Sequence, residues 1–148
     1  MIKVPPFPVE SLVVTPHADM SRARIAALVV PPLLMMGVIF VLSGQPSDNV
    51  DRAWWDVALR KLAHVTEYAV LTYLWWRALN GLGVDSALPA ALVISVLYAC
   101  TDEFHQTFID GRNGTPVDVG IDAIGIAIAA LVIYARRRIR GPSRPIAA

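Results

Sequence analysis

The residues Asp102, Glu103, His105, Gln106 and Arg112 stand directly after the apolar run 88–100. Two acids, a histidine, an amide and an arginine at the end of an apolar helix are costly and usually have a job. A histidine flanked by carboxylates suits general acid–base catalysis. Histidines with several carboxylates also suit a divalent cation. Possible partners lie on both sides in the sequence: Lys61, His64 and Glu67 before, Asp118 and Asp122 after.

Helical phase groups these side chains. At about 100° per residue, Lys61, His64, Glu67, Tyr68 and Leu71 fall within about 120° of one another. Tyr98, Asp102, His105 and Gln106 share a face of a later helix, with Glu103 off to one side. Asp118, Asp122, Gly125 and Ala129 share a face of the last helix, where Gly125 and Ala129 make a small-xxx-small pair suited to close packing. The candidate catalytic set is His64, Glu67, Asp102 and His105. Within it, His105 or His64 is the acid–base group and Asp102 its orienting partner. Lys61, Glu103, Gln106, Arg112, Asp118 and Asp122 are candidates for binding substrate, with Arg112 and Lys61 as an anion clamp.

Plainer roles stand beside these. Lys61 and Glu67 can balance each other's charge around a packed His64. Asp118 can complete a helix cap, and Glu103 can meet headgroups or a loop. Ser43 and Gln45 read as helix-end residues. Arg112 can pair with an acid or receive a ligand, and its glycine-flanked loop favours the ligand. Five carboxylates (Glu67, Asp102, Glu103, Asp118, Asp122) face two fixed cations, Lys61 and Arg112. In a low-dielectric site they cannot all stay ionised, so some are protonated or share a metal. No His-Glu-x-x-His zinc signature is present. A divalent metal is thus open as a cofactor, with no ligand set fixed.

The elements that must position these groups follow from composition. The chain has 148 residues, 55% hydrophobic and 17% charged, with a mean hydropathy of +0.53. Soluble domains carry about 25% charge, so the chain reads as one integral membrane domain. Membrane lipid is the expected partner, and nucleic acid is not; the net charge of +1 says little by itself. The single Cys100 cannot form an internal disulfide, and nothing fixes an oligomeric state.

The first expected span is 25–42, with a kink at Pro31-Pro32 and a stop at Ser43-Gly44-Gln45-Pro46-Ser47. The second is 56–79, bracketed by Trp54-Trp55 and Trp75-Trp76 as interface anchors. Residues 54 to 76 rise about 33 Å as a helix, close to one bilayer. After a turn at 80–85, the third span runs 87–108, capped by Ser86 or Asp85. Thr115-Pro116-Val117-Asp118 then starts the fourth, 117–135, which Arg136-Arg137-Arg138-Ile139-Arg140 ends. The expected fold is all-α, a four-span transmembrane helical bundle over 25–135. A flexible tail at 1–24, with no cleaved signal peptide, and a basic cytoplasmic tail at 136–148 flank it.

With both termini inside, the inner segments hold Lys3, Arg22, Arg24, Arg77, Arg136, Arg137, Arg138, Arg140 and Arg144, nine in all. The outer side holds four: Arg52, Arg60, Lys61 and Arg112. The positive-inside rule therefore predicts cytoplasmic termini. An alternating path then brings every unusual polar residue to the outer leaflet.

Ser43-Gly44-Gln45-Pro46, Lys61-x2-His64-x2-Glu67-Tyr68, Asp102-Glu103-x-His105-Gln106-x5-Arg112 and Asp118-x3-Asp122-x2-Gly125 follow one another in this order. The combination resembles the VanZ-like family of small bacterial membrane proteins over about residues 40–130. That family is named for an accessory protein linked to reduced teicoplanin sensitivity. The resemblance implies a place in the bacterial cytoplasmic membrane and a cell-envelope role. It implies no particular reaction and does not make this chain a glycopeptide-resistance factor. Gly114-x3-Asp118-x3-Asp122 is also similar to the latter half of the CDP-alcohol phosphotransferase motif, whose first half is absent here.

The leading expectation is an envelope protein with an outward-facing polar pocket that binds, and acts on, an anionic lipid-linked or glycan substrate such as a lipid-linked envelope precursor. The alternatives are a non-enzymatic accessory module that modulates an envelope enzyme, and a proton or ion pathway through buried carboxylates.

Overall fold

A computed structural model of the chain describes residues 20–46 and 54–140. The expected tail over 1–19 and the end of the basic tail over 141–148 lie outside the described residues. Among those described there are four helices and no strand: α1 (Arg22–Ser43), α2 (Trp54–Gly81), α3 (Ala87–Gln106) and α4 (Pro116–Arg140). Three of them, α1, α3 and α4, are long and apolar enough to cross a membrane. The longest, α2 with 28 residues, carries Asp56, Arg60, Lys61, Glu67 and Arg77 and falls outside that class.

Local chemistry sets the helix ends. Ser21 caps α1 by accepting the Arg24 N–H at 3.2 Å, and α1 then runs through both Pro31 and Pro32 to Ser43. Thr115 caps α4: its hydroxyl accepts the Asp118 N–H at 3.2 Å and donates to Asp118 Oδ2 at 2.7 Å, with Pro116 at the first helical position. Ser86 occupies the cap position of α3 but makes no side-chain cap bond. Every helix departs from its expected bounds at one end or both, and two of these differences have a local cause. α3 stops at Gln106 because the chain enters successive turns, with Thr107, Phe108 and Ile109 each donating three residues back. α4 continues through the arginines to Arg140, since arginine is a good helix former and Arg137 finds a seat over the Trp76 ring, 5.5 Å from its centroid.

The core cluster is Ile39, Tyr68, Leu71, Ala99 and Ile126, one or two residues from each helix. Its central element is α2, which packs against all three others. The α2–α4 seam is close because Gly125 has no Cβ. An added Cβ there would collide with the Val65 carbonyl oxygen, and Ala129 one turn on is buried as well. The two tryptophan pairs differ. Trp54 and Trp55 are exposed, whereas Trp75 packs on the core cluster and Trp76 makes a tilted ring contact with Tyr73.

Candidate functional site

The last turn of α3 brings its polar residues inward. Asp102, Glu103 and Gln106 are buried, in line with Ala99 and Ser95 one and two turns earlier. Glu103 therefore belongs to the inner face, not to one side. The helical wheel missed this because the loop after α3 folds back over that flank. The Thr115 N–H donates to Glu103 Oε2 at 3.2 Å. A Cβ at Gly114 would collide with the Glu103 carbonyl oxygen.

Asp102 is held from two helices. The Ser43 hydroxyl donates to Oδ1 at 2.5 Å, and the Gln106 amide donates to Oδ2 at 3.1 Å. The same Gln106 amide donates to Glu103 Oε1 at 2.8 Å. Among the described residues no hydrogen bond joins Asp102 to His105. The His105 ring stacks instead on Phe40 of α1, centroids 4.3 Å apart, and its Nδ1 is buried without a hydrogen-bond partner. The expected Asp102–His105 pairing is thus not formed: Ser43 and Gln106 take the Asp102 carboxylate, and Phe40 takes the His105 ring.

The histidine–carboxylate pair lies elsewhere. His64 Nδ1 is 3.1 Å from Oδ1 of Asp122, a side chain with no exposure. Lys61, one turn earlier on α2, pairs with Asp118 at 3.2 Å and not with Glu67. Both partners are substantially exposed, so this ion pair contributes little stability. Glu67 sits half-buried one turn beyond His64.

Arg112 binds the end of α1 to the end of α3. Its Nε donates to the Gln45 carbonyl at 3.0 Å, its Nη2 to the Leu42 carbonyl at 3.3 Å and its Nη1 to Gln106 Oε1 at 3.1 Å. Carbonyls at a helix C-terminus lack intrahelical donors, and a guanidinium fork meets that need.

A cleft of about 300 Å³ opens over this constellation. Arg60, Lys61 and Arg112 border it, and His64, Glu103 and Asp122 line it from below. For a metal, one ligand atom each from His64, Asp102 and Glu103 lie within 4.8 Å of one another.

A VanZ/LLP1 family model matches residues 15–137. The chain belongs to the VanZ/LLP1 family. It is 33% identical over 84 residues to the uncharacterized membrane protein YwnJ of Bacillus subtilis (strain 168), a stretch covering 56% of this chain and 55% of YwnJ. The chain thus spans about half the length of this curated relative. No solved structure matches. Family and relative agree with the helices: this is a VanZ-family membrane protein.

Three buried hydroxyls went unrecognised in the sequence. Ser43 is buried against Asp102, although the Ser-Gly-Gln-Pro element that contains it was the available signal. Thr72 and Ser95 bridge α2 and α3 by a buried hydrogen bond of 3.0 Å. Single hydroxyls in apolar runs gave no pattern to find them by.

Proposed function

We propose that this VanZ-family protein crosses the bacterial cytoplasmic membrane four times with both termini inside. Its cleft opens at the outer leaflet, where it binds and modifies an anionic lipid-linked or glycan substrate. The reading of α2 as a span is supported by its contacts at both ends. Near its start Lys61 meets Asp118 at the beginning of α4. Near its end Arg77 donates to the Ala27 carbonyl at the beginning of α1, and Asn80 accepts from Arg137 at the end of α4. The helix therefore runs the length of its neighbours. Lys61, His64 and Arg77 meet partners in the bundle, as charges in a membrane protein do.

The observation that carries the functional reading is the His64–Asp122 pair inside a cleft bordered by three cations. The Asp122 carboxylate favours the tautomer with the proton on His64 Nδ1, so Nε2 keeps its lone pair. Arg60 and Lys61 are exposed, and Lys61 can exchange its exposed ion pair with Asp118 for a phosphate or carboxylate.

Native mass spectrometry of gently purified protein tests this. A phosphate-bearing lipid should copurify in preference to neutral lipid, and the double variant Arg60→Gln/Lys61→Gln should lose that preference. Equal capture of neutral and anionic lipid by the parent protein would refute the reading.

A further inference from the structure

We infer that His64, Asp102 and Glu103 bind one divalent transition-metal ion, with Asp122 orienting the histidine. The three ligand atoms come from two helices and already lie within 4.8 Å of one another. Donors at about 2.0–2.2 Å from a cation stand about 3–4.4 Å apart in tetrahedral or octahedral geometry. Small side-chain rotations close the set.

The surroundings are those of metal ligands. Asp102 Oδ1 and Oδ2 accept from Ser43 and Gln106, and Glu103 Oε1 and Oε2 accept from Gln106 and the Thr115 N–H. Each carboxylate oxygen thus takes one hydrogen bond and keeps a lone pair. Metal-binding histidines commonly give their other ring N–H to a carboxylate, which fixes the ring. Here His64 Nδ1 faces Asp122 Oδ1 at 3.1 Å, leaving Nε2 as the ligand atom.

A second observation is independent of the ligands. Asp122 is fully buried, yet its Oδ2 has no hydrogen-bond partner among the described residues. The Tyr68 hydroxyl is also buried and unpartnered, and Asp102, Asp122 and Glu103 all act on it electrostatically. Its ring stacks with that of His64, centroids 6.5 Å apart. Buried polar atoms left unpaired are expensive. A metal-bound water would donate to Asp122 Oδ2. The ion itself would offset the charge of three buried carboxylates, Asp102, Glu103 and Asp122.

One imidazole with two carboxylates fits Zn2+ or Mn2+ better than Mg2+ or Ca2+, which favour all-oxygen sets. Three protein ligands leave a position open. His64 and Glu103 line the cleft, so that position can take an anionic oxygen of the substrate. This last step alone rests on the function proposed above; the metal site does not.

Untagged full-length protein in detergent, stripped with EDTA, is titrated with ZnCl2 and MnCl2, and bound metal is counted by plasma mass spectrometry. One ion per chain is expected. Asp122→Asn should weaken binding about 10–100-fold, and Glu103→Gln at least as much. X-ray absorption of the Co2+-loaded parent, which needs no variant, should find one imidazole nitrogen among oxygen ligands. Failure to bind either ion stoichiometrically, or a Co2+ spectrum without imidazole, overturns the site. A protein that binds metal but shows no preference for phosphate-bearing lipid would refute the proposed function and leave the site standing.

Discussion

Gly125→Ala isolates the contact on which the site depends. Gly125 lies one turn beyond Asp122 on α4, and the Val65 carbonyl it faces belongs to the residue after His64 on α2. An alanine Cβ would overlap that oxygen, and it would also come within 3.1 Å of the Ala69 nitrogen. Both obstacles are backbone, so no side chain can swing aside. The helices must part by about 1 Å to restore normal contact. Overpacking of this kind costs about 1–3 kcal/mol, which at about 2–4 °C per kcal/mol for a chain of this length lowers the Tm by roughly 2–12 °C. The same parting stretches the 3.1 Å His64–Asp122 contact beyond hydrogen-bonding range.

Gly120→Ala is the control. It stands on the same helix, exposed, with nothing within 4 Å of an added Cβ. Alanine is the better helix former there, by about 0.5–1 kcal/mol. Thermal denaturation in detergent should therefore move in opposite directions for the two variants. A Gly125→Ala protein as stable as Gly120→Ala would refute the close α2–α4 approach, and with it the geometry of the His64–Asp122 pair.

Three further outcomes are expected. Arg112→Lys keeps the charge but loses the fork that reaches Leu42, Gln45 and Gln106, so stability in detergent should fall by about 1–2 kcal/mol; unchanged stability with lost lipid capture would return Arg112 to the role of ligand clamp. Ser43→Ala removes a buried donor from Asp102 and should cost about 1–3 kcal/mol, read as a lower Tm; an unchanged Tm would count against α1 docking on α3 through this bond. A reporter fused after Ala148 should be active only in the form that works in the cytoplasm; activity on the far side would reverse the proposed orientation.

Helical periodicity made the elements legible, because each rests on local signals: the Thr115-Pro116-Val117-Asp118 start, the Ser-Gly-Gln-Pro stop and the apolar runs between them. It also placed His64, Asp122 and Gly125 on inward faces. It could not choose neighbours. A wheel says which residues of one helix share a face, and nothing about which helix that face meets. His105 and Asp102 share a flank of α3 on the wheel, but His105 turns to Phe40 and Asp102 to Ser43. His64 finds Asp122, a residue 58 positions away in sequence. Lys61 chose Asp118 over Glu67 for a similar reason: α4 starts beside it. Glu103 was misplaced because its burial comes from the returning loop at Gly114 and Thr115, not from a helix.

The end of α1 is the part whose role changes most between sequence and structure. Read alone, Ser43, Gly44 and Gln45 stop a helix. In the fold, α1 is mostly exposed along its length, yet Ser43 at its end is buried. From there Ser43 donates to Asp102, the Leu42 and Gln45 carbonyls accept from Arg112, and a Cβ at Gly44 would sit 3.6 Å from the His105 ring. Further back, the Tyr98 hydroxyl ties α3 to the Met36 carbonyl at 2.6 Å. Thus α1 closes one wall of the site through its last turns. Gln106 then carries that restraint inward, since its amide accepts from Arg112 and donates to both Asp102 and Glu103. A disturbance at the surface loop therefore reaches two candidate metal ligands through one side chain, which is why the arginine need not touch substrate to matter for the site.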